Sequence, residues 1–253
     1  MTSVNAALAA AAFAPALAVG SFLNVVVARL PERRSLVRPR SACPSCGHEL
    51  AWWENVPLLS YAVLRGRCRG CSAAISLRYP LVELATALLV AACFWRFGLS
   101  GEAFVASFFA AVLVALSAID FERRILPDRI VLPSTVAVLA AQVALHPDRT
   151  VEWIAAGLGA SLFLFAALVA YPKGMGMGDV KLALLLGVML GWEVSVGLMV
   201  GMLAALVLGV VLIARHGVAA RKTAIPFGPF LAFGSLVALF AGEEILAAYL
   251  NLF

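Results

Sequence analysis

Residues 174–214, GMGMGDVKLALLLGVMLGWEVSVGLMVGMLAALVLGVVLIA, form the most instructive stretch of the sequence. Only Asp179, Lys181 and Glu193 carry charge in it, and most other residues are aliphatic or small. An apolar run of about 20 residues can cross a bilayer as one helix, so the stretch predicts two consecutive membrane helices, the first of them short. A carboxylate is costly in such surroundings and is a functional candidate by default. Asp179, which follows alternating glycines, is therefore the first residue to explain.

Composition extends this interpretation to the whole chain of 253 residues. Hydrophobic residues make up 63% and charged residues 13%, whereas soluble domains contain about 25% charged residues. The apolar residues form continuous runs, while a transmembrane β-barrel would alternate apolar and polar residues. The sequence therefore predicts an all-α polytopic membrane protein, with about eight transmembrane helices and a small polar insert between the first two.

The apolar runs define the predicted spans. They cover about 6–28, 80–97, 102–119, 129–146, 151–171, 180–193, 195–214 and 225–249. The first run contains small residues like those of a signal-peptide cleavage site, but it lacks a basic start and ends at Arg29, as an uncleaved anchor does. In the sixth and seventh runs the spacings Gly187-x3-Gly191 and Gly197-x3-Gly201 predict close helix packing.

The basic residues predict the orientation in the membrane. Of the 19 Lys and Arg residues, all but Arg96 and Arg149 fall on one side if the spans alternate. The loops on that side are 29–79, 120–129, 172–181 and 215–224, and Lys173 and Lys181 flank the glycines in the third of them. The positive-inside rule places this side in the cytoplasm, so both termini would be periplasmic. The net charge of +5 thus reflects topology, and no nucleic-acid partner is expected.

The polar insert, residues 31–79, carries a metal-ligand pattern. It contains two CxxC pairs, Cys43 with Cys46 and Cys68 with Cys71. Two such knuckles can place four thiolates tetrahedrally around one Zn²⁺ ion. A structural zinc would also stabilise an insert that is too small to build its own core.

Alternatives exist for the cysteines. Disulfides or free thiols are possible, although the reducing cytoplasm that the topology predicts disfavours disulfides. His48 could replace one ligand, but four cysteines already complete a structural site. Cys93, in the second run, is expected to be a small core residue. The insert would either fold around its metal and nothing more, or also present a partner or donor site.

Two acids are predicted to meet at the cytoplasmic edge of the membrane. Asp120 closes the third run in SAIDFERRILPDRIVLP, and Asp179 opens the sixth. Two close carboxylates at a low-dielectric boundary share one proton, because ionising both is costly. The ionised member can then activate water while the protonated member polarises a peptide carbonyl, which is the chemistry of aspartic peptidases. The glycines before Asp179 would allow unusual backbone dihedrals and a close approach of main chain, including that of an extended substrate.

Each acid also has a structural alternative. Asp179 would serve equally as the N-cap of the sixth helix, and the N-cap role is the favoured one for Asp128 at the start of the fourth. Glu83 lies just inside the second run and is a functional candidate on that ground, with pairing to Arg78 as the alternative.

Taken together, these blocks resemble the bifunctional bacterial prepilin peptidases, the type IV leader peptidase and N-methyltransferase family. The resemblance runs from about residue 20 to about residue 235. It rests on GSFLNVVVARLP, the knuckles around WWENVPLLSYAVLRGRCRGC, ISLRYPLVEL, IDFERRILPD, GMGMGDVKL and PFGPFLAFG, in that order.

The resemblance implies an inner-membrane aspartic peptidase that cuts the basic leader from type IV prepilins and pseudopilins at the cytoplasmic membrane face. The new N-terminal amine would then be methylated, with S-adenosylmethionine as the methyl donor and Zn²⁺ as a structural ion. Asp120 and Asp179 match the catalytic pair of the family. The residues assigned to the supporting loop of the site are Gly176, Gly178, Lys181 and Asp128.

The methyltransferase activity is also implied by the resemblance. The cysteine insert is associated with the bifunctional members, and Gly66, two residues before the third cysteine, matches a position linked to methylation. The sequence lacks the glycine-rich fingerprint of a Rossmann-type methyltransferase. The donor site would therefore be of another kind, in or beside the insert.

The predicted organisation is a first transmembrane helix over 1–30, a cytoplasmic zinc-binding insert over 31–79, and a seven-helix membrane domain over 80–253 that carries the peptidase site. Three other functions fit part of the pattern. A peptidase could lack the methyltransferase activity. An intramembrane GxGD protease would hold both acids deep in the bilayer, which the loop-proximal Asp120 argues against. A non-catalytic, zinc-dependent membrane assembly factor would use Asp120 and Asp179 only as caps.

Overall fold

The computed structural model describes residues 2–172, 174–216 and 226–251. Lys173, Arg221 and Lys222, which the topology assigned to the cytoplasmic side, lie outside the described residues. Within these three ranges every long element is a helix and no β-strand occurs. The prediction of an all-α membrane protein is confirmed.

Nine α-helices occur in the part of the chain that the structure describes. Their bounds are α1 Thr2–Arg29, α2 Leu59–Val63, α3 Arg78–Phe97, α4 Gly101–Arg123, α5 Asp128–Leu145, α6 Thr150–Ala170, α7 Met177–Leu190, α8 Val194–His216 and α9 Gly228–Leu250. Short 3-10 helices cover Trp52–Asn55, Pro147–Arg149 and Gly191–Glu193.

Every one of these helices except the short α2 coincides with a predicted span. Seven ranges of the described chain are long and apolar enough to cross a membrane, because α7 and α8 fall together in the range Met177–Arg215. The two are nevertheless separate helices, since Gly191 takes a φ of 60° and ends α7. With 14 residues, α7 is about 21 Å long, shorter than the hydrocarbon core of about 30 Å.

The chain divides into two compact units, Met1–Ile119 and Asp120–Phe253. In the first unit, α1 packs along α3. In the second unit, α7 packs against α6 and α5, and α8 packs against α9. The sequence predicted different domain boundaries, after residue 30 and after residue 79. That organisation into a first helix, an insert and a membrane domain remains a proposal.

Glycines bring the helices of the second unit close together, as their spacing predicted. A Cβ atom on Gly187 of α7 would lie 2.5 Å from the main-chain oxygen of Ala156 in α6. A Cβ atom on Gly201 of α8 would lie 2.7 Å from the main-chain oxygen of Phe230 in α9. Main-chain contact of this kind requires small residues on the facing helix surfaces.

Candidate active site and metal centre

Asp120 lies in the last turn of α4, and its side chain is buried. Its Oδ2 accepts a hydrogen bond of 3.0 Å from the main-chain N–H of Gly228, the first residue of α9. The N-terminus of a helix has unpaired N–H groups and a partial positive charge, so it stabilises a carboxylate placed there. A Cβ atom on Gly228 would lie 2.8 Å from the same oxygen, so a glycine allows this approach.

Asp179 is the third residue of α7 and is also buried. Its Oδ2 accepts a hydrogen bond of 3.1 Å from the main-chain N–H of Gly176. The N-cap of α7 is therefore Gly176, and the alternative in which Asp179 is the N-cap is wrong. The carboxylate instead reaches back from the first turn to the N-cap amide, as the acidic residue of a capping box does.

The two aspartates come together within the second unit. Their negative charges interact, so the two carboxylates are near neighbours although they are far apart in sequence. Each is bound at the N-terminus of a different helix, α9 for Asp120 and α7 for Asp179. Both also lie near helix ends rather than at mid-helix, which disfavours a site deep in the bilayer.

Leu126, in the turn between α4 and α5, contacts both glycines that adjoin the pair. A Cβ atom on Gly178 would lie 2.9 Å from the Cβ of Leu126, and one on Gly228 would lie 3.3 Å from its Cδ2. Sequence reasoning missed Leu126 and Gly228 as site residues. Gly228 lies in the quoted block PFGPFLAFG, but no local pattern indicated that this helix start meets Asp120.

The glycines before Asp179 allow close packing, and none of the three takes the positive φ that glycine permits. Gly176 has a φ of −96°, which any residue can adopt. Gly178 lies against Leu126, and Gly174 lies against the ring of Tyr171. Around Gly176 there is more room, because a Cβ there would have no neighbour closer than 3.7 Å.

If the aspartate pair is catalytic, Gly228→Ala is expected to lower the rate of peptide-bond cleavage by about 10- to 100-fold, the loss that follows when supporting contacts shift a catalytic group. The added methyl group would push against Oδ2 of Asp120 and remove its hydrogen bond. The measurement is the initial cleavage rate of the purified variant. Gly209→Ala is the matched control, since a Cβ at Gly209 meets no atom within 4 Å. Equal rates in the two variants would contradict this role of Gly228.

Asp128 and Lys181 form an ion pair beside the site. Nζ of Lys181 donates hydrogen bonds of 2.8 and 2.7 Å to the two carboxylate oxygens of Asp128. The prediction that Asp128 is an N-cap is wrong, because Pro127 occupies that position and Asp128 is already the first helical residue of α5. Its side chain points to the lysine instead, and the pair joins the first residue of α5 to the second turn of α7.

The Asp128–Lys181 pair is expected to contribute a coupling energy of about 0.2–1 kcal/mol, the range of solvent-exposed pairs. Their side chains are 54% and 33% exposed, so solvent screens the attraction. Thermal unfolding of Asp128→Ala, Lys181→Ala and the double variant gives this energy as a double-mutant cycle. Strictly additive effects would show that the pair contributes nothing, and a coupling of several kcal/mol would show that it is shielded from solvent.

The insert brings four cysteines into one cluster. The Sγ atoms of Cys43, Cys46, Cys68 and Cys71 all lie within 4.8 Å of one another. Two of the Sγ–Sγ distances are 3.8 Å and 3.9 Å, and tetrahedral thiolates at about 2.3 Å from zinc lie about 3.8 Å apart. These cysteines form no disulfide, so the cluster fits a metal ion. Cys93 is buried in α3, as expected of a core residue.

The two knuckles have the same construction. In each, the N–H of the first cysteine donates to the carbonyl five residues further on, over 2.9 Å in the first knuckle and 2.8 Å in the second. The residue after the second cysteine has a positive φ in both, 73° for Gly47 and 58° for Ser72. This turn directs successive main-chain N–H groups toward the sulfur atoms and favours thiolates as ligands.

Those amides change the acidity of the thiols. The main-chain N–H groups of Cys46 and Ser45 lower the pKa of Cys43 to about 6. At Cys71 the N–H of Ala73 acts in the same direction, but hydrogen bonds with the neighbouring cysteines and burial outweigh it and raise the pKa to about 12. Metal ligands must be deprotonated, so the main-chain N–H groups that lower the pKa of Cys43 favour its thiolate form as a ligand.

His48 lies outside the ligand cluster. Its Nε2 is 3.2 Å from Oε2 of Glu54, and the same oxygen accepts a hydrogen bond of 2.8 Å from the N–H of Ala51. The Ala51 amide, with a smaller contribution from His48, holds the pKa of Glu54 below its usual value. His48 therefore binds a carboxylate and does not replace a cysteine.

Gly66, the residue associated with methylation in the sequence analysis, precedes the second knuckle. It has a φ of 66°, in the region that favours glycine. A Cβ atom there would lie 2.8 Å from the hydroxyl oxygen of Tyr61. Any other residue at this position would strain the backbone and displace the tyrosine ring.

These features define a polytopic helical membrane protein with a pair of buried aspartates at two helix starts and a four-cysteine cluster suited to a metal ion. Comparison with known families agrees with this class. Residues 15–97 match the bacterial Peptidase A24 N-terminal domain, and residues 107–214 match the type IV leader peptidase family. The chain belongs to the type IV leader peptidase family.

Individual relatives support the same assignment. A prepilin leader peptidase/N-methyltransferase of Pseudomonas aeruginosa is 40% identical over 93% of this chain and 91% of the relative. A protein of the same name from Myxococcus xanthus is 42% identical over 83% of this chain and 65% of the relative. Another from Burkholderia pseudomallei is 40% identical over 89% of this chain and 83% of the relative. No solved structure matches the chain significantly.

Proposed function

We propose that this chain is an inner-membrane aspartic peptidase that removes the leader of type IV prepilins and pseudopilins. It then methylates the new N-terminal amine, with S-adenosylmethionine as the methyl donor. The observation that carries the proposal is the pair of buried, interacting carboxylates of Asp120 and Asp179, each held by a helix N-terminus. Membership of a family whose matched relatives are prepilin leader peptidase/N-methyltransferases supplies the substrate class.

Cleavage uses the aspartate pair as general base and general acid. The ionised carboxylate takes a proton from water as its oxygen attacks the carbonyl carbon of the scissile bond, and the protonated carboxyl donates to the carbonyl oxygen. The tetrahedral intermediate then collapses: the C–N bond breaks, the leaving nitrogen takes a proton from one carboxyl, and a hydroxyl of the intermediate gives its proton to the other carboxylate as the carbonyl forms again. Asp120 and Asp179 are restored with one proton between them.

The main-chain contacts of the pair contribute through preorganisation. The N–H groups of Gly228 and Gly176 hold the Oδ2 atoms of Asp120 and Asp179, which fixes the position of each carboxylate. Fixed donors of this kind need no rearrangement during the reaction. Gly176, which has no side chain and is hydrogen-bonded to Asp179, would let an extended substrate backbone approach that carboxylate closely.

The cysteine cluster would hold Zn²⁺ through four thiolates, and the ion would supply structural stability to the insert. The donor set is all sulfur and leaves no open coordination position, which is typical of structural rather than catalytic zinc. Methylation replaces one hydrogen of the new amine by a methyl group, and the displaced proton leaves to solvent. We assign this second activity to the first unit, because the insert is the feature that the resemblance associates with methylation.

Orientation follows from the basic loops. The insert and the two aspartates would face the cytoplasm, and both termini would face the periplasm. A prepilin carries its basic leader in the cytoplasm and its apolar helix in the membrane, so the scissile bond lies at the same face. Labelling of single cysteines introduced at exposed positions, from each side of intact inner-membrane vesicles, tests this topology.

The direct test of the proposed function is incubation of the purified, zinc-loaded protein with a prepilin and S-adenosylmethionine, followed by mass spectrometry of the product. The expected product lacks the leader and carries one added methyl group at its N-terminus. Cleavage without methylation would leave a peptidase alone. An intact prepilin would refute the proposal, provided that a relative with established activity cleaves the same preparation.

A further inference from the structure

Glu83 is a buried acid of the first unit that the peptidase chemistry does not use. It lies in the second turn of α3, and its Oε2 accepts a hydrogen bond of 2.8 Å from the main-chain N–H of Leu58 in the insert. The hydroxyl of Ser21 in α1 donates to it as well. Its main chain is pressed against α1, since a Cβ on Gly20 would lie 2.6 Å from the Cα of Glu83. The carboxylate therefore joins both membrane helices to the insert.

Leu58 has a backbone conformation that requires support. Its φ is 57° and its ψ is −45°, and the N–H of Leu59 donates to the carbonyl of Pro57 over 2.6 Å. This is a three-residue γ-turn of the rare and strained kind. A non-glycine residue keeps such dihedrals only where its surroundings hold it. The hydrogen bond from the N–H of Leu58 to Glu83 stabilises these dihedrals.

The strained turn leads directly into the methylation-associated part of the insert. Helix α2, Leu59–Val63, begins at the turn and carries Tyr61, whose carbonyl accepts the N–H of Gly66 over 2.9 Å. The carbonyl of Gly66 in turn accepts the N–H of Ile75 over 2.7 Å. Gly66 stands two residues before Cys68, so the position of α2 determines where the second cysteine knuckle lies.

We infer that Glu83 is a positioning residue for the methyltransferase activity: it holds the Leu58 turn and thereby fixes α2 and the second knuckle on helices α1 and α3. This rests on the proposed function, since it assumes that the chain methylates its product. The role needs a hydrogen-bond acceptor at this position and does not need a negative charge. A residue that bound or deprotonated the substrate amine would need the charge.

Substitution of Glu83 by Gln and by Ala distinguishes a need for a hydrogen-bond acceptor from a need for negative charge. Glu83→Gln keeps an oxygen that can accept the N–H of Leu58, whereas Glu83→Ala leaves that N–H unpaired. Methylation is measured with labelled S-adenosylmethionine on a pilin peptide that already lacks its leader, so that peptidase defects do not enter. Cleavage of prepilin and zinc content are measured on the same preparations. Glu49→Ala is the matched control, because Glu49 is an exposed acid of the same insert.

Glu83→Ala is expected to lower the methylation rate about tenfold or more, the effect of losing one buried hydrogen bond, with cleavage and zinc content unchanged. Glu83→Gln is expected to remain within about threefold of the unaltered protein, close to the control. Equal losses in the Gln and Ala variants would overturn the inference, because charge would then be the requirement. Full methylation by Glu83→Ala would overturn it as well. Absence of methylation in the unaltered protein would instead refute the proposed function.

A second variant tests the link through the strained turn. Glycine adopts positive φ without steric cost, so Leu58→Gly makes the turn less dependent on its hydrogen bond. In that background, Glu83→Ala is expected to reduce methylation by a smaller factor than in the unaltered chain. An equal factor in both backgrounds would show that Glu83 does not act through Leu58.

Discussion

Asp120→Asn and Asp179→Asn are each expected to reduce prepilin cleavage by about 100- to 10,000-fold, the contribution of a general acid or base. Asparagine is nearly isosteric with aspartate, and its side-chain oxygen can still accept the N–H of Gly228 or Gly176. It cannot take or give the proton. The substitutions therefore remove the chemistry and preserve the helix-terminal hydrogen bonds that position the side chains.

The double variant sharpens this expectation. Groups that act as one unit lose most of the rate when either is removed, so Asp120→Asn with Asp179→Asn should be little slower than either alone. Initial rates of leader removal in detergent or lipid nanodiscs measure this, and methylation of a leaderless peptide serves as the control for folding. Cleavage at normal rate by both single variants would leave the aspartates with a structural role only.

The pair of aspartates was predictable because its signals are local. Asp120 and Asp179 stand beside long apolar runs on the same predicted side, and span alternation alone places them at similar depth. The helix ends were predictable for the same reason, since apolar length and flanking charge define them. α7 is a single short helix because Gly191 ends it, and the sequence marks that break with Gly191-Trp192-Glu193.

The supporting contacts were not predictable, because they depend on which helix ends meet in space. Gly228 donates to an aspartate that is more than 100 residues away in sequence, and Leu126 contacts glycines from two other helices. Asp128 has the local pattern of an N-cap, but tertiary pairing with Lys181 uses its carboxylate instead. Asp128 cannot cap α5 because Pro127 occupies the N-cap position, and no local pattern showed that Lys181 lies within hydrogen-bond distance.

Cys43→Ser is expected to weaken zinc binding by more than about 100-fold, since it removes a ligand rather than an outer contact of the site. It also removes the thiol whose pKa the main-chain N–H groups of Cys46 and Ser45 lower to about 6. Zinc per chain, measured by atomic spectroscopy after dialysis, should fall from one equivalent to near zero. Cys93→Ala, at a buried cysteine outside the cluster, should retain the full equivalent.

The functional consequences of Cys43→Ser should be unequal for the two activities. The insert depends on the metal for its fold, because it buries few apolar side chains, so methylation should fall with zinc content. Cleavage should persist, because Asp120 and Asp179 belong to the other compact unit and neither binds the cysteine cluster. Loss of both activities in proportion to zinc would show that the metal-bound insert also supports the peptidase. Equal zinc in Cys43→Ser and the unaltered protein would refute the four-cysteine site itself.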